Sequence, residues 1–370
     1  MTAHFANDFY ANVLPVMLPF IQAKFDLSLT LVGFASTVFT SAASFLQLLF
    51  GWMGDRLKGN FVLWGPILTG IFVCIAGLMP NYVGFLLALM VSGAGTAMFH
   101  PQATALAGSL AYKRRGLAIS LFIAGGSVGF ALGPATSAFL FESSQQLWNN
   151  WQLGLWVLLG FALILLVVLK WYLPAFHTKP SVHQESLLSV LRPLWTMCFI
   201  VVLRHAVFLS FMTYLILFLE EQRGFSYVEA NIVFFIFLTG GAISPMLGGP
   251  LSDRFGRKPI IWISLAAAYP FLWLFLQFDG WIGLIALPLS ALMLGMNNPV
   301  IVAAAQERLP NHAGTASAVT MGVGWGMGSW VVSGVGLLAD HVDLLFALHM
   351  VSLLAVFAAL LVLKIPSLEN

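Results

Sequence analysis

The chain has 370 residues, 60% of them hydrophobic and only 8% charged, with mean hydropathy +0.93 and a formal net charge of +2. A soluble domain carries roughly 25% charged residues, so this chain lacks the polar side chains to coat a globule in water and reads as a membrane protein of many spans. No acidic or basic tail marks it for a nucleic-acid partner, and the two cysteines, Cys74 and Cys198, sit in apolar runs where they read as small buried hydrophobes rather than a disulfide or metal site.

A spanning helix needs ~20 mostly apolar residues, and twelve such stretches follow one another along the chain. They are 2–23, 28–53, 61–79, 82–111, 116–141 and 148–170, then 193–219, 228–250, 259–278, 281–306, 313–338 and 344–363. The first contains Asp8 and lacks a basic leader, so no cleavable signal peptide is expected. The polar, two-proline segment around 174–191 is the one linker. It divides the chain into six-helix halves at 1–173 and 192–370. Loop lysines and arginines fix the direction. Arg56, Lys58, Lys113, Arg114, Arg115, Lys170, Lys179, Arg192, Arg254, Arg257, Lys258, Arg308 and Lys364 fall on one side, against Lys24 and Arg223 on the other. Both termini are therefore expected in the cytoplasm, with tryptophans 52, 148, 151, 171, 195 and 281 near span ends as an aromatic belt.

The halves repeat each other. A shift of 198 carries Gly51, Asp55 and Arg56 onto Gly249, Asp253 and Arg254, Pro101 onto Pro299, and Gly126 onto Gly324. Six spans and a shift that preserves direction make these parallel repeats, the layout of one large transporter class.

Over its whole length the chain resembles the major facilitator superfamily. The second half carries that family's loop signature G-x-x-x-D-R-x-G-R-K in full, at Gly249, Asp253, Arg254, Gly256, Arg257 and Lys258. The first half keeps Gly51, Asp55 and Arg56, then departs at Leu57–Asn60. "HFANDF" at His4–Phe9, "MFHP" at Met98–Pro101, "GRKPIIW" at Gly256–Trp262 and "AQERLP" at Ala305–Pro310 resemble the fosmidomycin-resistance group of exporters. The resemblance implies an all-α membrane fold of twelve helices in two parallel-related halves, no catalytic residues and no cofactor. It also implies that the two loop sets are gates. Topology alone also explains them, since positive residues hold such a loop inside.

Ionisable groups at bilayer depth are costly, at least ~2.5–3.5 kcal/mol each on insertion scales, and are functional candidates. Asp8 lies ~10 Å into the first span, with His4 a turn before it, Asn7 adjacent and Asn12 a turn after. His100 interrupts a small, apolar stretch, Gly93–Thr104, in the fourth span; Arg204 and His205 lie ~18 Å along the seventh, and Asn297 and Asn298 occupy the tenth. The resemblance makes helices 1, 4, 7 and 10 the lining of a central cavity. Asp8 is read as the proton-coupling residue, its other reading being a helix-start cap. Asn7, His100, Arg204, Asn297 and Asn298 are read as substrate-binding. His100 also fits a structural histidine holding the Pro101 kink. Arg204 needs an anion, for which Asp8 and a substrate phosphonate or carboxylate are the two candidates. His205, one residue on, is expected to point ~100° away from it. Gly129 and Gly133-Pro134 in the fifth span resemble the family's antiporter signature, though small residues also serve close helix packing. Trp325 fits a cavity aromatic and a core residue alike.

No nucleotide-binding loop is present and no spacing of metal ligands appears. The expectation is a secondary transporter working by alternating access in the cell's inner (plasma) membrane, as a monomer. It exports small anionic or amphipathic molecules, such as drugs, against protons. Proton symport or facilitated uptake of a sugar or organic acid is the alternative. From another class, an intramembrane enzyme would need a convergent catalytic set, which only His100 with Asp8 remotely offers, and a lipid scramblase would expose a polar groove to lipid.

Overall fold

The computed structural model describes residues 1–54, 60–110, 115–172, 187–309 and 313–365. Among them are thirteen α-helices and no strand. The helices are α1 (Thr2–Ala11), α2 (Leu14–Phe25), α3 (Leu29–Gly54), α4 (Phe61–Leu78), α5 (Tyr82–Leu110), α6 (Arg115–Trp148), α7 (Gln152–Tyr172), α8 (Leu187–Arg223), α9 (Tyr227–Phe255), α10 (Arg257–Gln277), α11 (Trp281–Arg308), α12 (Ala313–His341) and α13 (Leu344–Val362). Eleven of these, α3 to α13, are long and apolar enough to cross a membrane. With no water in a bilayer core, each segment must satisfy its own backbone, which only a helix or a closed barrel achieves.

The expected first span, 2–23, is two short helices. Pro15 stands in the first turn of α2. It has no N–H, and its ring would crowd the carbonyl of residue 11 in a continuous helix. The chain breaks at Asn12–Val13, and Asn12 repairs the loss by donating from Nδ2 to the Asp8 carbonyl at 2.7 Å. The expected linker 174–191 and the first-half gate residues Asp55 and Arg56 lie wholly or mostly outside the described residues.

The chain divides into two compact units. One comprises 1–27, 38–182 and 226–231; the other comprises 28–37, 183–225 and 232–370. In the first, α1 packs on α4, α5 and α6, and α4 packs on α5 and α7. Glycines set the distance between α1 and α6. A Cβ at Gly129 would stand 2.1 Å from the Phe5 carbonyl oxygen, and one at Gly133 would stand 2.2 Å from that of Phe9. The outward side of α7 carries exposed Trp156, Phe161, Ile164 and Val167. In water this would be an aggregation surface; against lipid it costs nothing. Trp148, Trp171 and Trp281 are exposed at helix ends, and Trp195 near the start of the apolar part of α8, the positions an aromatic belt occupies.

In the second unit α8 is enclosed by α11, α12 and α13, and α10 packs on α11 and α13. The unit also takes in the start of α3. Asp340 of α12 caps that start: Oδ1 accepts from the Leu29 N–H at 2.7 Å, and Oδ2 from the Thr30 N–H at 2.8 Å and the Thr30 hydroxyl at 2.5 Å. A carboxylate here satisfies free N–H groups and meets the positive end of the helix dipole. Tyr214 donates to the Leu29 and Val332 carbonyls at 2.9 and 3.0 Å.

Candidate functional site

Two polar clusters lie inside otherwise apolar helices, one in each unit. In the first unit α1 presents His4, Asn7 and Asp8 on one side, because positions three and four apart share a helix face. His4 Nε2 lies 3.2 Å from Asp8 Oδ2. His100, from α5, brings Nε2 to 3.5 Å from Asp8 Oδ1. Asn7 is fully buried; its Nδ2 donates to Asp8 Oδ1 at 3.0 Å and stands 3.4 Å from His100 Nε2. Its Oδ1 accepts from the Thr69 hydroxyl of α4 at 3.2 Å, which fixes the amide's orientation. His4 Nδ1 meets the Phe122 carbonyl of α6 at 2.7 Å, and its ring stacks on Phe122 at 4.0 Å between centroids.

Gly126 of α6 closes the back of this cluster. A Cβ there would lie 2.5 Å from the His4 ring and 2.7 Å from Asp8 Oδ2. Asp8 keeps 18% of its side-chain surface exposed and His100 30%, against 10% for His4. The cluster is therefore reached from the His100 side. His4 was noted from sequence only as a neighbour of Asp8. Its carbonyl partner stands 118 residues away, and no local pattern encodes that contact.

The donor atoms of His4, Asp8 and His100 lie within 4.8 Å of one another, a convergence that the linear spacing conceals. A metal-holding set keeps the far nitrogen of each imidazole on a second partner. His4 has Phe122 for this role, but His100 has no such partner among the described contacts. The three groups are near enough to pass a proton among them.

In the second unit Arg204 of α8 is 4% exposed. Its Nη1 donates to the Leu294 carbonyl of α11 at 3.2 Å and its Nη2 to Asn298 Oδ1 at 3.4 Å. Nη2 also stands 2.7 Å from His205 Nε2, while His205 Nδ1 donates to the Val201 carbonyl at 2.9 Å. The expectation that His205 points away from Arg204 is thus wrong. The helical angle describes where side chains leave the backbone, and these two are long enough to fold back together. Nη2 is also 3.1 Å from Nδ1, so the guanidinium lies over the face of the ring, a cation against an imidazole whose Nδ1–H is spent on a carbonyl. Trp325 packs on it at 4.7 Å between ring centroids and on Phe208 at 6.2 Å.

Arg204 takes no carboxylate from α8 or α11, and its Nε is buried without a hydrogen-bond partner. Asn297 is also fully buried. Its Nδ2 is spent on Ser264 and on the Leu294 carbonyl, both at 3.2 Å, while Oδ1 is left unpaired. An orphaned donor and an orphaned acceptor are costly unless something fills them. The repeat recurs here in three dimensions. Gly324, the partner of Gly126 under the 198-residue shift, meets His205 as Gly126 meets His4: a Cβ would stand 2.7 Å from His205 Nδ1.

The second-half loop set forms a network. Arg257 donates from Nη1 to Asp253 Oδ1 and Ser252 Oγ at 2.5 Å, and from Nη2 to Glu307 Oε1 at 3.0 Å. Glu307, in the "AQERLP" stretch, is the partner that sequence reading left out. Lys258 donates to the Leu363 and Ile365 carbonyls at 3.0 and 2.7 Å, closing the end of α13. Gly256 sits at φ +88°, a conformation that favours glycine, and so permits the tight α9–α10 turn. Arg254 lies 5.1 Å over the Phe255 ring, and nothing crowds Gly249. Gly51, in the first half, sits 3.9 Å (at a Cβ position) from Pro101.

Comparison with known proteins agrees with this architecture. The chain is 26% identical over 355 residues to the fosmidomycin resistance protein of Escherichia coli (strain K12), covering 92% of this chain and 86% of that protein. It is 29% identical over 376 residues to the uncharacterized MFS-type transporter YfnC of Bacillus subtilis (strain 168), covering 97% and 90%. A crystal structure of a bacterial homolog of the human lysosomal transporter Spinster, inward-facing and occupied, superposes with a TM-score of 0.80 at 15% identity over 98% of this chain and 94% of that one. The model of the Major Facilitator Superfamily matches residues 1–333, and the chain belongs to that family of membrane transporters, which are not enzymes.

Proposed function

We propose that this transporter is a proton-coupled antiporter that exports small anionic or amphipathic molecules. The observation that carries the reading is the cluster in the first unit: one carboxylate between two imidazoles, on two helices that hold no other acid, base or histidine. A buried carboxylate with partners on both oxygens is equipped to take and give a proton as its surroundings change. Asp8 is the coupling residue, with Asn7 and His100 on its open side.

The cargo class is supported by Arg204. A guanidinium cannot usefully shed its proton, so a buried one with an idle Nε suits an oxyanion arriving with the cargo. Asn298 and Asn297 supply the neighbouring hydrogen bonds. An apolar cavity of about 510 Å³ on α8 and α12, lined by Trp195, Phe199, Val202, Val323 and Met327 with Arg192 among them, suits the greasy part of an amphipathic molecule. The name of the Escherichia coli relative, a resistance protein, supports export and drug-like cargo. In this reading the halves 1–173 and 192–370 alternate as units about the linker 174–191. Asp253, Arg254, Arg257 and Lys258 gate the second half, and Asp55 and Arg56 the first. The protein works as a monomer in the inner membrane with both termini in the cytoplasm.

The test is transport in liposomes that enclose a pH-sensitive dye, with anionic antibiotics and organic acids as probes. Wild-type protein is expected to move protons when a cargo is added, and Asp8→Asn to abolish that movement while remaining folded. Cargo movement without protons in the wild type sinks the coupling. Proton movement that persists in Asp8→Asn removes Asp8 from the role.

A further inference from the structure

We infer that the two oxygens of Asp8 do different work: Oδ2 permanently shares one proton with His4, and Oδ1, together with His100, handles the proton that exchanges. The inference rests on the proton-coupling reading and assigns His4 a part that reading leaves open.

The argument is one of donors and acceptors. The Phe122 carbonyl can only accept, so the hydrogen in its 2.7 Å contact belongs to His4 Nδ1. His4 Nε2 then faces Asp8 Oδ2 at 3.2 Å. If His4 were neutral and Asp8 ionised, two lone pairs would meet there with no hydrogen between them. The approach requires a proton on one atom or the other, giving imidazolium with carboxylate or imidazole with carboxylic acid. Either way the pair carries one proton and no net charge. His205 shows the contrasting case within the same chain. Its Nδ1 also donates to a carbonyl, at 2.9 Å, but the group against its ring is the cation Arg204 and not a carboxylate, so no further proton is called for.

The other side of Asp8 is built to switch. Asn7 holds its amide toward Asp8 Oδ1 at 3.0 Å and toward His100 Nε2 at 3.4 Å. While His100 Nε2 is bare it accepts from Asn7. When a hydronium ion delivers a proton, an N–H bond forms at Nε2, water leaves, and His100 becomes a donor to Oδ1, 3.5 Å away. His100 is also the more open imidazole, at 30% side-chain exposure against 10% for His4. The ionisable side chains on the helices packed here are His4, Asp8 and Tyr10 of α1, Cys74 of α4, Tyr82 and His100 of α5, and Arg115 and Glu142 of α6, of which Tyr82, Arg115 and Glu142 stand at helix ends or more than three turns along from the cluster. Tyr10 turns away, donating to the Leu158 carbonyl at 2.8 Å. From α6 the cluster meets Phe122 and Gly126, and from α4 it meets Thr69, none of them ionisable.

The test is solid-state NMR of the full-length protein in lipid bilayers, labelled with ¹⁵N-histidine and titrated between pH 5 and 8.5. His4 is assigned by loss of its signal in His4→Gln. If that variant does not fold, it is assigned by contact with ¹³C-carbonyl-labelled phenylalanine through Phe122. The expected result is that His4 Nδ1 stays protonated and its signals keep one type across the range, while His100 Nε2 passes from a bare to a protonated nitrogen. A His4 that titrates in the range, or that carries hydrogen on Nε2 with a bare Nδ1, overturns the inference; so does a His100 that never changes. The liposome assay separates the two readings. If wild-type protein moves no protons while His4 behaves as stated, the coupling fails and the wiring stands. If protons move while His4 titrates, the coupling stands and the wiring fails.

Discussion

Single residues in this chain act through what they lack. Arg204 is a permanent cation whose hydrogen bonds go to a carbonyl and an amide and whose Nη2 lies over an imidazole ring, none of which cancels its charge. Lysine would keep the charge but lose the planar fork and the idle Nε. Arg204→Lys is therefore expected to raise the KM for anionic cargo about ten- to a hundredfold, the scale of a lost charged hydrogen bond. At saturating cargo, proton movement should survive in it under the proposed coupling through Asp8, and transport against cargo concentration checks both points. Sequence alone made Arg204 legible as a buried cation in need of an anion. It did not show that His205 would turn back to meet it, because a helical angle says where a side chain starts and not where its tip ends. Nor did it reveal that His4 belongs to the cluster, since the carbonyl that fixes its ring comes from α6.

Helices carry the second level of design. The eleven long spans α3 to α13 were legible because span length and hydrophobicity are imposed by the bilayer itself, but α6, α8 and α9 run past their expected ends and the expected first span is two helices. The break between α1 and α2 was signalled by Pro15 but hidden because the mostly apolar stretch 2–23 is as long as one span, and it matters because it falls just past Asp8. The contact of α1 with α6 depends on missing side chains. Gly126→Ala would force a methyl group against the His4 ring and Asp8. It is expected to cost about 1–3 kcal/mol, the usual range for overpacking, read as a lower unfolding temperature in detergent. At the start of α3, Asp340 supplies a cap from a helix more than 300 residues away. Asp340→Ala should destabilise by about 0.5–2 kcal/mol, as other lost N-caps do, and should raise hydrogen exchange first at Leu29 and Thr30. No local rule links Asp340 to Leu29, so this cap was invisible in the sequence.

Across the whole molecule the 198-residue repeat is the organising fact, and it was legible because it preserves glycines and loop charges that the fold needs twice. What it did not preserve is the chemistry: one copy holds a carboxylate between imidazoles, the other a guanidinium beside one. The scaffold is duplicated, and the reactive groups have diverged on it. The glycine track of α6 gives this a consequence for how the protein can evolve. Gly126, Gly129 and Gly133 touch the α1 backbone or the His4–Asp8 pair, which the proposed function gives to protons and not to cargo. A population selected on one toxic compound after another should therefore accumulate changes around Arg204, Asn297 and Asn298. The α6 track should stay blank in every such experiment, whatever the compound. The map of tolerated mutations would then separate the engine of this transporter from its taste.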